Sequence, residues 1–136
     1  LSMKKLNERG VSAVEFALIL PVLVLILFGI VEFGLILYNQ QVITNASREG
    51  ARAGILFAST RPTEQEIKDV VANYTSDHLV TFQNGTSSNP TVPTGPCTAF
   101  GSNLTVTVTY QYTFLMLDNL GFTGPNLTAS TTMRCE

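Results

Sequence analysis

Hydrophobic positions fall into three regimes along the chain. From Val11 to Leu37 they are nearly continuous: this stretch of about 27 residues holds no Lys or Arg, and its only charges are Glu15 and Glu32. At 1.5 Å per residue such a helix spans about 40 Å, enough to cross a hydrocarbon core of about 30 Å with some tilt. It is too long for the apolar region of a secretory signal, and the nearest small-x-small match, Ala51-Arg52-Ala53, lies well beyond it, so a retained anchor is expected. Pro21 lacks an amide donor, which predicts a kink or a melted turn there.

Past the anchor the spacing becomes amphipathic. Between Asn39 and Gly54, Val42, Ile43, Ala46 and Ala53 fall on one stripe and Arg48, Glu49 and Arg52 on the wetter side. Gly50 and Gly54 predict fraying. A second helix is expected after Pro62, where Thr63 and Glu66 have the spacing of a capping box. Its inward face is expected to carry Ile67, Val70, Val71, Tyr74 and His78, with Lys68, Asp69 and Asp77 outward.

Asn84 to Asn103 reads as a loop, with Pro90, Pro93 and Pro96 among Gly, Ser, Thr and Asn. The period then changes to two. Leu104, Val106, Val108, Tyr110, Tyr112 and Phe114 alternate with Thr105, Thr107, Thr109, Gln111 and Thr113, as a strand with one buried face requires. Leu120 to Asn126 makes the return turn, and Leu127 to Arg134 a last strand with Ala129 and Met133 inward. These elements predict an α+β architecture: a long N-terminal transmembrane helix, a short amphipathic helix and a small antiparallel sheet. The expected divisions are a leader over 1–10, the membrane helix over 11–37, a helical extension over 38–60 and a small α+β domain over 61–136.

Charge sets the topology expected of these elements. Charged residues are only 13% of the chain against 45% hydrophobic, and the net charge is -2. With no basic cluster beyond the N-terminus there is no footprint for nucleic acid. Lys4, Lys5 and Arg9, against Glu8, precede the apolar run and place the N-terminus in the cytoplasm, with everything after Tyr38 outside. Met3 is an alternative start to Leu1.

Cys97 and Cys135 are the whole cysteine inventory. Outside the cytoplasm a disulfide is their expected state, with free thiols the alternative. It would close a loop of nearly forty residues, worth roughly 3–4 kcal/mol in the chain-entropy treatment. A zinc site would need two more ligands, and the lone His78 does not supply them.

Catalytic motifs are missing from the sequence: no G-x-S-x-G, P-loop or H-E-x-x-H occurs, and the carboxylates Glu64, Glu66, Asp69 and Asp77 read as a solvated helix face. No enzymatic activity and no cofactor or metal are expected. The five N-x-[ST] sequons, at Asn45, Asn73, Asn84, Asn103 and Asn126, are what a chain rich in Asn and Thr produces by chance.

The most informative stretch is Arg9 to Pro21, RGVSAVEFALILP. A basic leader ends in Gly10, an apolar helix is expected to begin at once, and Glu15 becomes the fifth residue if the chain is cut after Gly10. An acid within a membrane helix costs roughly 2.5–3.5 kcal/mol, so it is usually paired or functional, although one only a turn inside can also reach the headgroups. Glu32 is about 26 Å further along the axis and about 100° around it. It is expected near the far interface, reaching water or contacting a partner subunit's helix.

This pattern resembles the class III signal of type IV pilins and their relatives, and the pair Glu15-Phe16 looks like the Tad branch. The run Asn45 to Arg52 and the C-terminal strands are similar to TadE-like proteins. The resemblance implies cleavage by a prepilin peptidase between Gly10 and Val11. It also implies pairing between subunits through the new Val11 amine and Glu15, with Phe16 beside it. The function implied is that of a minor pilin or pseudopilin in the bacterial inner membrane, assembling or initiating a Tad-type pilus. Its partners would be other minor or major pilins, the inner-membrane assembly platform and membrane lipid. A major structural pilin, and an uncleaved single-pass anchor carrying a binding or adhesion module, are the rival readings.

Overall fold

The computed structural model describes residues 2–57, 59–82 and 88–136. Its first element, helix α1, runs over Ser2–Ile55, 54 residues without a break. Two expectations change here. The helix begins before Gly10 rather than after it, because Met3, Lys4, Lys5, Leu6, Glu8 and Arg9 are all good helix formers. Pro21 also stays within helical backbone, so the expected melted turn is absent. A single missing donor is tolerated when the flanking turns remain bonded.

The chain divides into two compact units, Leu1–Gly34 and Leu35–Glu136. In the first, nearly all of the described apolar side chains are exposed, Val14, Phe16, Leu18, Ile19 and Leu25 among them. The described residues hold one helix long and apolar enough to cross a membrane, and none of its apolar window is buried within the chain.

The second unit is a two-layer α+β fold. Helix α2 spans Glu64–His78, and Thr63 caps it: the Thr63 amide donates to Glu66 Oε2 (2.6 Å) and the Glu66 amide to Thr63 Oγ1 (3.3 Å). Strands β1 (Asn89–Thr91), β2 (Asn103–Gln111) and β3 (Asn126–Arg134) form an antiparallel sheet with β2 in the centre. Strand β1 lies inside the expected loop. Its three residues are too few for an alternating pattern, and Pro90 is tolerated because β1 is an edge strand. Residues 84–87 of that loop, with the Asn84 sequon, lie outside the described residues, as does residue 83.

Period-two alternation places Leu104, Val106, Val108 and Tyr110 in the core, with Leu127 and Ala129 from β3. Strand β2 stops at Gln111, short of the expected Phe114. Tyr112 is buried and donates its amide to Pro125 O (3.1 Å), so the return segment begins earlier than Leu120 and holds a 3-10 turn over Leu117–Leu120. On the outer face Thr105 pairs with Thr132 and Thr107 with Ser130, their hydroxyls 2.9 and 3.1 Å apart.

Two helical expectations are corrected. On α2 Ile67, Val71 and Thr75 are buried and Tyr74 is half-buried against the core, so of the expected inward residues it is His78 that turns to solvent. His78 is exposed and stacks on the Tyr74 ring, 4.4 Å between centroids. On α1, Ala53 is only half-buried, whereas Ala46, Ser47, Gly50, Ala51 and Gly54 are buried.

The two glycines do not fray the helix. They are where it meets its neighbours. A Cβ on Gly50 would stand 2.5 Å from Val71 Cγ2 of α2 and 3.3 Å from Val106 Cγ1 of β2. One on Gly54 would stand 2.5 Å from Leu104 Cδ2 and 2.8 Å from Ile67 Cδ1. The missing side chains let α1 approach α2 and the sheet together, which outweighs a helix-propensity cost of about 1 kcal/mol each.

The Gly50→Ala variant should therefore be less stable in urea unfolding of the detergent-solubilised protein, despite its better helix propensity. Overpacking costs about 1–3 kcal/mol against a gain of about 1 kcal/mol. Gly34→Ala, where a Cβ meets nothing within 4 Å, should not lower the midpoint.

Candidate functional site

The residues singled out by the sequence lie in three places. Gly10, Val11, Glu15 and Phe16 occupy consecutive turns of α1 in the first unit, all exposed. Val11 and Glu15 are one turn apart, about 6 Å along the axis. A Cβ on Gly10 would meet nothing within 4 Å, so packing does not explain a glycine there. Its consequence is local: in mid-helix it weakens the turn joining the basic stretch to the apolar one by about 1 kcal/mol relative to alanine. Ser12 Oγ donates to Glu8 O (3.1 Å), a side-chain bond spanning the same turn.

Glu32 departs from its expected place in water: its residue is only 2% exposed.

The sequence reading missed Asn39, seven positions on and fully buried. Its side-chain amide grips one residue of the α2–β1 connection from both sides. Asn39 Nδ2 donates to Val80 O (2.9 Å), and the Val80 amide donates to Asn39 Oδ1 (3.0 Å). Spacing could have revealed it, since Asn39 precedes Ile43 by four and so shares the buried stripe. Ser47, also buried, bonds Thr131 Oγ1 and Thr44 O, both at 2.7 Å. These buried polar groups fasten α1 to the rest of the second unit.

Cys97 and Cys135 are joined as a disulfide, with Cα atoms 5.9 Å apart and 38 positions between them in sequence. Both are buried. Around the bond, the Cys135 amide donates to Ser102 O (2.8 Å), the Gly101 amide to Cys135 O (2.9 Å), and the Glu136 amide to Ile55 O at the end of α1 (3.2 Å). The disulfide thus fixes the point where β3 and the helix end together.

Two shallow clefts lie among the described residues. One, of about 260 Å³, lies against Arg61, Pro62, Glu66 and Val70, where the Arg61 guanidinium sits 5.0 Å over the Phe57 ring. The other, of about 450 Å³, lies between Gln111, Thr113, Asp118 and Asn126. Among the described residues no group of three or more His, Cys, Asp or Glu side chains is placed to hold a metal ion.

Residues 10–52 match a protein-family model described as TadE-like protein. No curated protein and no solved structure matches the chain. The match takes in Gly10, Val11, Glu15, Phe16, Glu32 and Asn39 and ends just before the last turn of α1.

Replacing both Cys97 and Cys135 by serine should lower stability by roughly 3–4 kcal/mol. Urea unfolding with and without reductant checks this, and reduction should lower the midpoint of the parent protein but not of the double variant.

Proposed function

We propose, from the match of residues 10–52 to the TadE-like family model, that the chain is a minor pilin or pseudopilin of a Tad-type pilus, cleaved after Gly10 by a prepilin peptidase. The observation that carries this reading is Glu15. It is an exposed acid on a helix whose other exposed side chains from Val11 to Ile30 are almost all apolar.

An ionised carboxylate in that setting needs a cation, and no Lys or Arg lies between Val11 and Leu37. Hydrolysis of the Gly10–Val11 peptide creates one: the new Val11 amine takes up a proton and stands one turn from Glu15. Across two copies, the amine of one can meet the carboxylate of the next. That pairing sets an axial offset between subunits while their apolar helix faces remain in contact. Gly10 assists the cut, since a protease needs an extended segment and glycine makes the helix easiest to open there.

Lys4, Lys5 and Arg9 hold the leader in the cytoplasm, where that peptidase acts, and leave the second unit outside the membrane. The disulfide supports this placement, because such bonds persist in oxidising compartments. The second unit, Leu35–Glu136, is the larger part of the chain. That favours a few copies that start or cap a fibre over the many copies of a slender shaft. The protein acts by assembly, through other pilins and the inner-membrane platform, without catalysis.

N-terminal sequencing of protein extracted from native membranes tests the reading, with a mature chain beginning at Val11 expected. A retained basic leader would instead favour an uncleaved anchor carrying a binding or adhesion module. Gly10→Val should block maturation. Glu15→Ala should be cleaved at the parental rate yet assemble poorly, and normal piliation in that variant would remove the pairing argument.

A further inference from the structure

Strand β3 runs alongside the last part of α1 in the same direction. Gln40 Nε2 donates to Thr128 O (3.0 Å), Ser47 meets Thr131, and the Glu136 amide reaches Ile55 O. The β2–β3 register closes at Gln111↔Asn126, so the connecting segment 112–125 lies at the Leu35–Gln40 end of the second unit. That is the end at which the chain continues into the apolar span. The Asn39–Val80 clasp brings the end of α2 to the same place.

The connecting segment is unlike an ordinary solvent loop. Leu115, Met116, Leu120 and Phe122 are exposed, Leu120 by 67% and Phe122 by 59%. The 3-10 turn Leu117–Leu120, closed by Gly121 at φ 86°, projects its last leucine outward instead of into the core. Asp118 is the only charged residue between Leu79 and Met133. Tyr38 on α1 and Phe82 past Val80 are exposed at this end too. Aromatic and aliphatic side chains without neighbouring cations suit the boundary between headgroups and acyl chains, where a protein surface buries its apolar groups by about 5–10 Å. The opposite end differs: Phe100 is exposed there, and Arg52, Arg134 and Glu136 stand near it in sequence or across the ladder.

We infer that Leu115, Met116, Leu120 and Phe122 form a membrane-docking loop that dips into the lipid surface and holds the second unit there. The inference rests on the membrane anchoring proposed above. Its occupant is the lipid interface of the bilayer that α1 spans, since the segment is continuous along the chain with that span. Insertion is apolar and needs no anionic lipid, because the loop offers no Lys or Arg. Leaving the bilayer for a fibre would require the loop to be withdrawn, so docking opposes extraction until assembly contacts replace it.

The chain contains no tryptophan, so a single one reports its own surroundings. Full-length Leu120→Trp, Phe122→Trp and Phe100→Trp chains would be reconstituted into phosphatidylcholine vesicles with or without brominated acyl chains. Brominated lipid should quench Leu120→Trp and Phe122→Trp several-fold more strongly than Phe100→Trp, which should emit as in water. Equal quenching at both ends would overturn the inference. So would blue-shifted but unquenched emission from the two loop variants, which would mean that a second copy covers the loop. Flotation separates the two proposals: chains that fail to float with the vesicles overturn the anchoring and the docking together, whereas floating chains with unquenched loop tryptophans overturn the docking alone.

Discussion

One helix has to satisfy two surroundings, and most of the structure follows from how α1 does so. From Val11 to Gly34 it presents mostly apolar side chains, the composition suited to lipid or to the helices of other subunits. From Leu35 onward it belongs to a folded unit and buries one stripe, along which bulk falls from Ile43 to Ala46, Gly50 and Gly54. Tapering the stripe brings the helix axis close to Val71 and Ile67 on one side and to Val106 and Leu104 on the other. Without it, α2 and β2 could not share a single helix as their common wall.

Polar groups then fix what tapering permits. Apolar packing alone would let a smooth helix slide or turn against the sheet, since dispersion is not directional. Asn39 on Val80 and Ser47 on Thr131 cannot slide without leaving buried donors and acceptors unmet, at about 1–3 kcal/mol each. The disulfide and the Glu136–Ile55 hydrogen bond do the same at the helix end. The position of α1 within the second unit is thus held at residues 39, 47 and 55, roughly every two turns.

Elements whose residues all serve one purpose were legible in the sequence. The alternation from Leu104 to Tyr112, the Thr63–Glu66 cap, the cysteine pair and the apolar anchor each reflect a single constraint repeated or closed locally. Misreadings fell where two constraints compete at one residue. Gly50 and Gly54 are poor helix formers locally and necessary for packing at long range, and only the three-dimensional neighbours decide. Asn89–Thr91 is a strand because β2 offers it an edge. His78 turns outward because Thr75 takes the inward place in the last turn of α2. Glu32 looked solvated by its position along the helix, yet it is buried. Of the candidate residues, Gly10 to Phe16 could be singled out from local spacing alone, whereas Asn39 depends on a contact 41 positions away.

The outward face of β2 and β3 has a character of its own. Its threonine and serine hydroxyls bond one another across the strands, Thr105 to Thr132 and Thr107 to Ser130. Apart from Arg134 at the end of β3 these rows carry no ionisable group, so their hydration responds little to acidity or to ionic strength, the two variables that rearrange a charged surface. A domain face coated this way keeps nearly the same wetted skin as salt or acidity changes around it.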